Sequence, residues 1–199
     1  MVQATVNESG AVERDSRTKV LEAALFLFTE RGYFNTSVHN IARYAGVSIG
    51  SLYHHFHDKA GIARALYDAL LARMVHDLGA LRRRHADSRG YYRAVVQHLF
   101  QVAEQQPASM VFILHAQHRE FLPDQPPICS SEPFRLIQES ITEGIQRGEI
   151  RAMDPIVATT TLFGGPLRLL TAHLDRVLER PLSSYLDESC ECGWRAVAP

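Results

Sequence analysis

The chain has 199 residues with 21 Lys and Arg against 22 Asp and Glu, and this near-balance hides an asymmetry: residues 1–96 carry 13 basic and 9 acidic side chains, residues 97–199 carry 8 and 13. A hydrophobic content of 46% is enough for a buried core and excludes wholesale disorder. No apolar run approaches the roughly 20 residues that cross a bilayer, "MVQATVNESGAVERDS" lacks the basic-then-apolar pattern of a secretory signal, and three cysteines do not make a disulfide framework, so the expectation is a cytoplasmic protein without a membrane partner.

Residues 1–14 are polar and aperiodic and read as a flexible tail. From Asp15 the period is helical almost to the end, and no alternating stretch makes a strand. The first helix is predicted from Asp15 or Ser16 to Arg31, with Val20, Ala24, Leu27 and Phe28 on one face and Gly32 as its stop. A second begins at Thr36 or Ser37, carries Val38, Ile41, Ala42 and Ala45, and ends at Gly46. A third, short helix opens near Ser48 and closes by His57 or Asp58. Two short amphipathic helices joined by a tight glycine-containing turn make a helix-turn-helix. A fourth helix is predicted from Lys59 or Gly61 to about Arg84, and others at 90–105, 108–121, 131–148, 155–178 and 182–190. The fold class is therefore all-α, with a helix-turn-helix segment at 15–60 and a longer helical region at 61–199; the resemblance described below implies that the first is a DNA-binding domain and the second a ligand-binding and dimerisation domain.

On a helix, "SIGSLYHHF" turns Leu52 and Phe56 inward. The opposite side presents Ser48, Ile49, Gly50, Ser51, Tyr53, His54 and His55, a face of donors with no carboxylate. Such a face suits a DNA groove. Gly50 permits close approach, Tyr53, His54 and Lys59 can donate to phosphates, and the start of the second helix at Thr36 and Ser37 offers amides and hydroxyls to another. His54, His55 and His57 do not make a metal site, because neighbours on a helix diverge by about 100°. His55 is open between a structural and a phosphate-facing role, and Tyr53 suits both.

The segment Phe28 to Ile62, "FTERGYFNTSVHNIARYAGVSIGSLYHHFHDKAGI", resembles the DNA-binding segment of the TetR family of bacterial transcriptional regulators. The matching features are Gly32-Tyr33, Thr36, Ile41-Ala42, Ala45-Gly46-Val47-Ser48, Gly50, Leu52-Tyr53, His55-Phe56 and Lys59. The resemblance implies a homodimeric repressor, not an enzyme, with two recognition helices in successive major grooves of a palindromic operator on double-stranded DNA. It also implies a C-terminal domain whose small-molecule effector shifts the two heads. Carried over by position, Ser48, Gly50, Ser51, Tyr53, His54 and Lys59 are operator contacts, with Thr36 and Ser37 on the backbone. Ile49 departs from the polar or basic residue often found there and could instead meet a thymine methyl. The fourth helix, joining the domains, is expected to carry the shift.

Outside this segment the signals are weaker. "HAQHREF" sets His115, His118 and Arg119 on one helical face, either a half-exposed polar face or the lining of an effector pocket, and His98 and Gln138 are candidates of the same kind. Mostly apolar walls suggest a largely apolar effector. In "TTTLFGGPLRLLTAHLDRVL", Gly164 and Gly165 with Leu169 and His173 read as a dimer seam, or as a kinked core helix at a pocket wall. The arginines of "LRRRH" suit a helix C-terminus. Cys190 and Cys192 make an incomplete metal site and read as incidental beside a redox role. No cofactor motif and no complete catalytic motif is present. A DNA-binding protein without an effector is the remaining alternative.

Overall fold

A computed structural model describes residues 3–115, 118–125 and 128–199, with side chains from residue 15 onward apart from 118, 119 and 129. As the periodicity predicts, the regular structure of the described residues is helical throughout. The helices are α1 (Gln3–Arg31), α2 (Val38–Ala45), α3 (Ile49–Phe56), α4 (Lys59–Arg84), α5 (Ser88–Gln105), α6 (Pro107–His115), α7 (His118–Phe121), α8 (Glu132–Gln146), α9 (Pro155–Leu174) and α10 (Leu186–Val197), with 3₁₀ turns at Ile128–Ser130 and Leu182–Tyr185. α1 begins at Gln3 rather than at the expected Asp15 or Ser16. No proline interrupts residues 3–14, and polarity alone does not end a helix.

The chain divides into two compact units. The first gathers the residues up to Leu70 together with Val111–Gln125; the second gathers Leu71–Met110 and Pro126–Pro199. The unit that holds the helix-turn-helix is thus larger than the 15–60 segment, and α4 contributes residues to both units.

In the first unit the predicted apolar stripe of α1 is the core. Val20, Ala24, Leu27 and Phe28 are buried with Ile41 and Ala42 of α2, Leu52 and Phe56 of α3, and Ile62, Ala63, Leu66 and Tyr67 of α4. Full burial of a side chain such as Leu52 or Ile41 contributes about 1.5–3 kcal/mol, so α3 is held mainly by Leu52 and Phe56.

The second unit is built on α5. Its Tyr91, Tyr92, Val95, Val96, Leu99 and Phe100 are buried, as are Ile137 and Ile141 of α8 and Leu162, Phe163 and Leu170 of α9. The Tyr92 hydroxyl donates to the Leu162 carbonyl at 2.7 Å, and its ring meets Phe163 edge-on and stacks on Trp194. Burial pushes the Tyr92 hydroxyl well above the ordinary phenol range. α10 runs on to Val197, past the expected residue 190, and packs closely at Gly193, where a Cβ would stand 2.5 Å from the Tyr92 hydroxyl. Among the "LRRRH" arginines, Arg82 pairs with Glu143 of α8 and lies over the Tyr91 ring.

Glu149 caps the start of α5. It accepts from the Ser88 amide at 2.6 Å and from Arg147 Nε at 2.7 Å. These bonds, the Arg147 guanidinium first, hold its carboxyl down to about 2. A carboxyl depressed by folding stabilises fully above its unfolded value and loses that contribution as pH falls through the folded one. Glu149→Gln is therefore expected to lower the thermal midpoint at neutral pH, with the gap to wild type closing as pH falls from about 4.5 toward about 2. Unfolding curves across that window check it.

Candidate nucleic-acid interface

The turn between α1 and α2 is set by Gly32, whose φ of 82° is left-handed and whose amide closes α1 on the Phe28 carbonyl. Ser37 then caps α2 in a reciprocal box: the Asn40 amide donates to Ser37 Oγ at 3.1 Å, and the Ser37 amide donates to Asn40 Oδ1 at 3.1 Å. Gly46, at φ 66°, ends α2. Ser48 caps α3 by accepting from the Ser51 amide at 3.1 Å. Each of these stops and starts was legible as a glycine or a hydroxyl at the right place.

With Leu52 and Phe56 inward, α3 turns Gly50, Tyr53 and His54 to solvent, with Ser48 exposed at its head. Tyr53 is 44% exposed, unusual for a large ring on an eight-residue helix whose other face is buried. A Cβ built on Gly50 meets nothing within 4 Å, so the space beside it is open. Ile49 and Ser51 are half-buried at the edges of the face, as is His55, whose ring packs edge-on to Phe56. Ser48 Oγ accepts one bond and keeps a proton to donate. No Asp or Glu occurs in α2 or α3.

Two expected phosphate contacts have other work. Thr36 is 2% exposed, and its hydroxyl lies within bonding distance of the Leu27 and Gly32 carbonyls at 3.2 and 3.0 Å. It closes the α1–α2 turn from inside, which takes its side chain off the DNA face. Lys59 is half-buried: its ammonium donates to the Tyr33 carbonyl at 3.0 Å and lies 4.2 Å from the centre of the Tyr33 ring. Burial pulls it below the ordinary lysine range. It fastens the first turn of α4 to the α1–α2 turn, and any phosphate it meets shares the ammonium with these contacts. The sequence reading passed over His39 and Arg43, both exposed on α2. His39 is two residues past the Ser37 cap, and that offset was the available signal.

α3 and α4 meet at an unusual corner. His57 has φ 62° and ψ −48°, and across it the Asp58 amide donates to the Phe56 carbonyl at 2.7 Å. This three-residue turn is strained for any residue with a Cβ. Gly61, one turn into α4, faces the same carbonyl, and a Cβ there would stand 2.0 Å from the Phe56 oxygen.

The expected effector residues are divided between the two units. His98, on α5, faces Asp77 of α4 at 3.3 Å, with His76 on the other carboxylate oxygen at 3.2 Å. His98 and Gln138 belong to the second unit and His115 to the first. The side chains of His118, Arg119 and Cys129 lie outside the described residues. On α9, Gly164 and Gly165 are exposed with open space beside them, whereas Leu169 and His173 are half-buried. The exposed apolar face runs instead through Ile156, Val157, Gly164 and Leu167, because Pro166 and Leu170 turn into the core. Cys190 is buried and Cys192 exposed on the same helix.

A buried-backed α3 following a capped α2 across a glycine turn defines a helix-turn-helix DNA-binding protein. The profile described as "Bacterial regulatory proteins, tetR family" matches residues 20–66, and that described as "Tetracyclin repressor-like, C-terminal domain" matches residues 70–198. The chain belongs to the TetR family of bacterial regulatory proteins. It is 39% identical over 70 residues to the HTH-type transcriptional regulator TtgR of Pseudomonas putida, which covers 35% of this chain and 31% of that protein. Its similarity to such curated relatives thus spans about a third of their length. Its fold is that of a TetR family transcription regulator from Marinobacter aquaeolei (TM-score 0.79, 21% identity, covering 94% of this chain and 98% of that one). It is also that of the transcriptional regulator FadR from Bacillus subtilis in complex with stearoyl-CoA (TM-score 0.76, 21% identity, 90% and 98%). No helix among the described residues is long and apolar enough to cross a membrane.

Proposed function

We propose that the chain is a cytoplasmic repressor that binds a palindromic operator as a homodimer and leaves it when a largely apolar small molecule binds its C-terminal helical region. The observation that carries the reading is the face of α3: Ser48, Gly50, Tyr53 and His54 are exposed together, on helices without a carboxylate, against a back fixed by Leu52 and Phe56. Ser37, His39 and Arg43 at the two ends of α2 suit phosphates, and Ile49 and Ser51 at the edges of α3 suit base edges. The effector acts by favouring one spacing of the two heads, since equal affinity for both would move nothing. α4, continuous through both units, is the element to transmit it. The stearoyl-CoA bound by the Bacillus subtilis protein supports an apolar effector.

Tyr53→Phe tests the phosphate role of the hydroxyl. It is expected to weaken DNA binding roughly fivefold for every sequence while leaving the salt slope unchanged, because a neutral donor releases no counterion. Fluorescence anisotropy at two salt concentrations reads both quantities, and wild-type affinity would show that the Tyr53 hydroxyl makes no phosphate contact.

We propose the exposed face of α9 as the dimer seam, a reading supported by Ile156 and Val157, 60% and 52% exposed. Ile156, Gly164 and Leu167 recur at helical spacing and make an exposed apolar strip with open space at Gly164. Ile156→Asp combined with Gly164→Arg is expected to convert dimer to monomer in sedimentation without loss of helicity. A double variant that sediments like wild type moves the seam elsewhere.

A further inference from the structure

Within residues 38–56, the span of α2, its turn and α3, the sequence carries one Lys or Arg, Arg43, and three histidines, His39, His54 and His55. The next permanent cation, Lys59, is already engaged by the Tyr33 carbonyl at 3.0 Å and by the Tyr33 ring. Affinity for duplex DNA comes in large part from cations that neutralise phosphates and release counterions. On these two helices that work falls largely to imidazoles, the one ordinary side chain that gains or loses its charge near neutral pH.

Two of these imidazoles stand where a phosphate can reach them. His39 is exposed in the first turn of α2, two residues past the Ser37 cap, with Arg43 one turn further along the same side. His54 is exposed in the last turn of α3, one turn beyond Gly50 and the open space beside it. His55 is half-buried, with its ring centre 5.6 Å from that of His54 and its edge toward Phe56.

The charged groups of the neighbouring elements have places of their own. From residue 15 onward α1, which packs on both helices, carries Asp15, Arg17, Lys19, Glu22, Glu30 and Arg31. Asp15 pairs with Lys19 at 2.5 Å, and Arg17 lies 5.7 Å over the Phe56 ring. Glu22 and Glu30 lie one turn either side of Phe26, whose ring stacks on Tyr44. His39 is about 140° round α2 from Tyr44, away from those carboxylates. At the α3–α4 corner Asp58, next to the exposed His57, accepts from the Gly61 amide at 2.6 Å. The next charges on α4, Arg64 and Asp68, lie more than a turn past that corner. A phosphate beside an imidazole favours its charged form. A group that takes its proton more readily in the complex adds affinity at low pH and loses that addition as pH rises. We propose, on the reading that this face enters DNA, that His39 and His54 meet backbone phosphates as imidazolium, so that DNA binding takes up protons and weakens as pH rises from about 6 to about 8.

Fluorescence anisotropy of the full chain with a labelled mixed-sequence duplex, at constant salt and at about pH 6 and about pH 8, tests this. Wild type is expected to bind at least about tenfold more weakly at the higher pH, since each unit by which a phosphate moves a titration is a factor of ten. Its salt slope should be steeper at the lower pH, because an imidazolium releases a counterion and a neutral imidazole does not. Both side chains are exposed, so His39→Gln combined with His54→Gln is expected to fold, and circular dichroism at both pH values verifies it. The double variant should lose most of the difference between the two pH values. Equal wild-type affinity at both overturns the proposal and leaves the repressor reading standing. A double variant that keeps the wild-type pH dependence also overturns it, since the titration then lies in other groups. Absence of DNA binding at both pH values overturns the repressor reading and this proposal together.

Discussion

Gly50→Glu is expected to reduce affinity for duplex DNA by at least about a hundredfold while raising the thermal midpoint by a few degrees. The two effects have separate causes. A Cβ at residue 50 meets nothing within 4 Å, so the fold has space for the new side chain. Glycine inside a helix costs about 1 kcal/mol against ordinary residues, so its removal from α3 stabilises the free protein. On DNA the same side chain brings an uncompensated carboxylate to a face whose other groups are hydroxyls and imidazoles. Like charges brought together at an interface cost several kcal/mol. Anisotropy titration and thermal unfolding of one preparation measure both. A variant that binds DNA like wild type would show that α3 does not enter the groove by this face. A variant that loses DNA binding and also melts early would place Gly50 in the fold rather than at the interface.

Gly61→Ala is expected to destabilise the first unit by about 3 kcal/mol, a fall in midpoint on the order of 6–12 °C for a chain of this size. Its Cβ would stand 2.0 Å from the Phe56 carbonyl oxygen and 3.1 Å from its carbon, and both are backbone atoms that no rotamer change can move. Relief requires opening the turn at His57, which holds the Asp58 amide on that same carbonyl. His57→Gly is the companion variant. It removes strain of about 1–3 kcal/mol at φ 62° and adds back about 0.5–1 kcal/mol of unfolded-chain entropy, so stability should hold or rise. The two substitutions act on the same corner in opposite directions. If Gly61→Ala melts with wild type, the corner is not the tight three-residue turn described here.

The parts of the fold that local chemistry decides were legible. Ser37, Gly46 and Ser48 could be assigned because a cap hydroxyl or a left-handed glycine acts within four residues of itself. The burial of Leu52 and Phe56, and hence the solvent face of α3, followed from spacing. The contacts that depend on distant partners were not legible. Thr36 holds its place in the family pattern, but the pattern does not say that the side chain points inward to the Leu27 and Gly32 carbonyls. Lys59 reads from the sequence as a phosphate donor, and its seat on Tyr33, far away in sequence, is not visible there. The local pattern of α5 likewise says nothing of the Asp77 carboxylate that His98 meets on another helix. His57 carries a positive φ without being glycine, so composition gave no sign of the corner it makes.

The most direct test of the central assignment is selection of duplex DNA from a random library by the wild-type chain, repeated with Gly50→Glu. The expected result is enrichment of a palindrome with two half-sites about one helical turn (~10 bp) apart, or a small multiple of that, which the variant fails to enrich. No enriched sequence with the wild type, or the same sequence enriched by the variant, would contradict the placement of α3 in the groove.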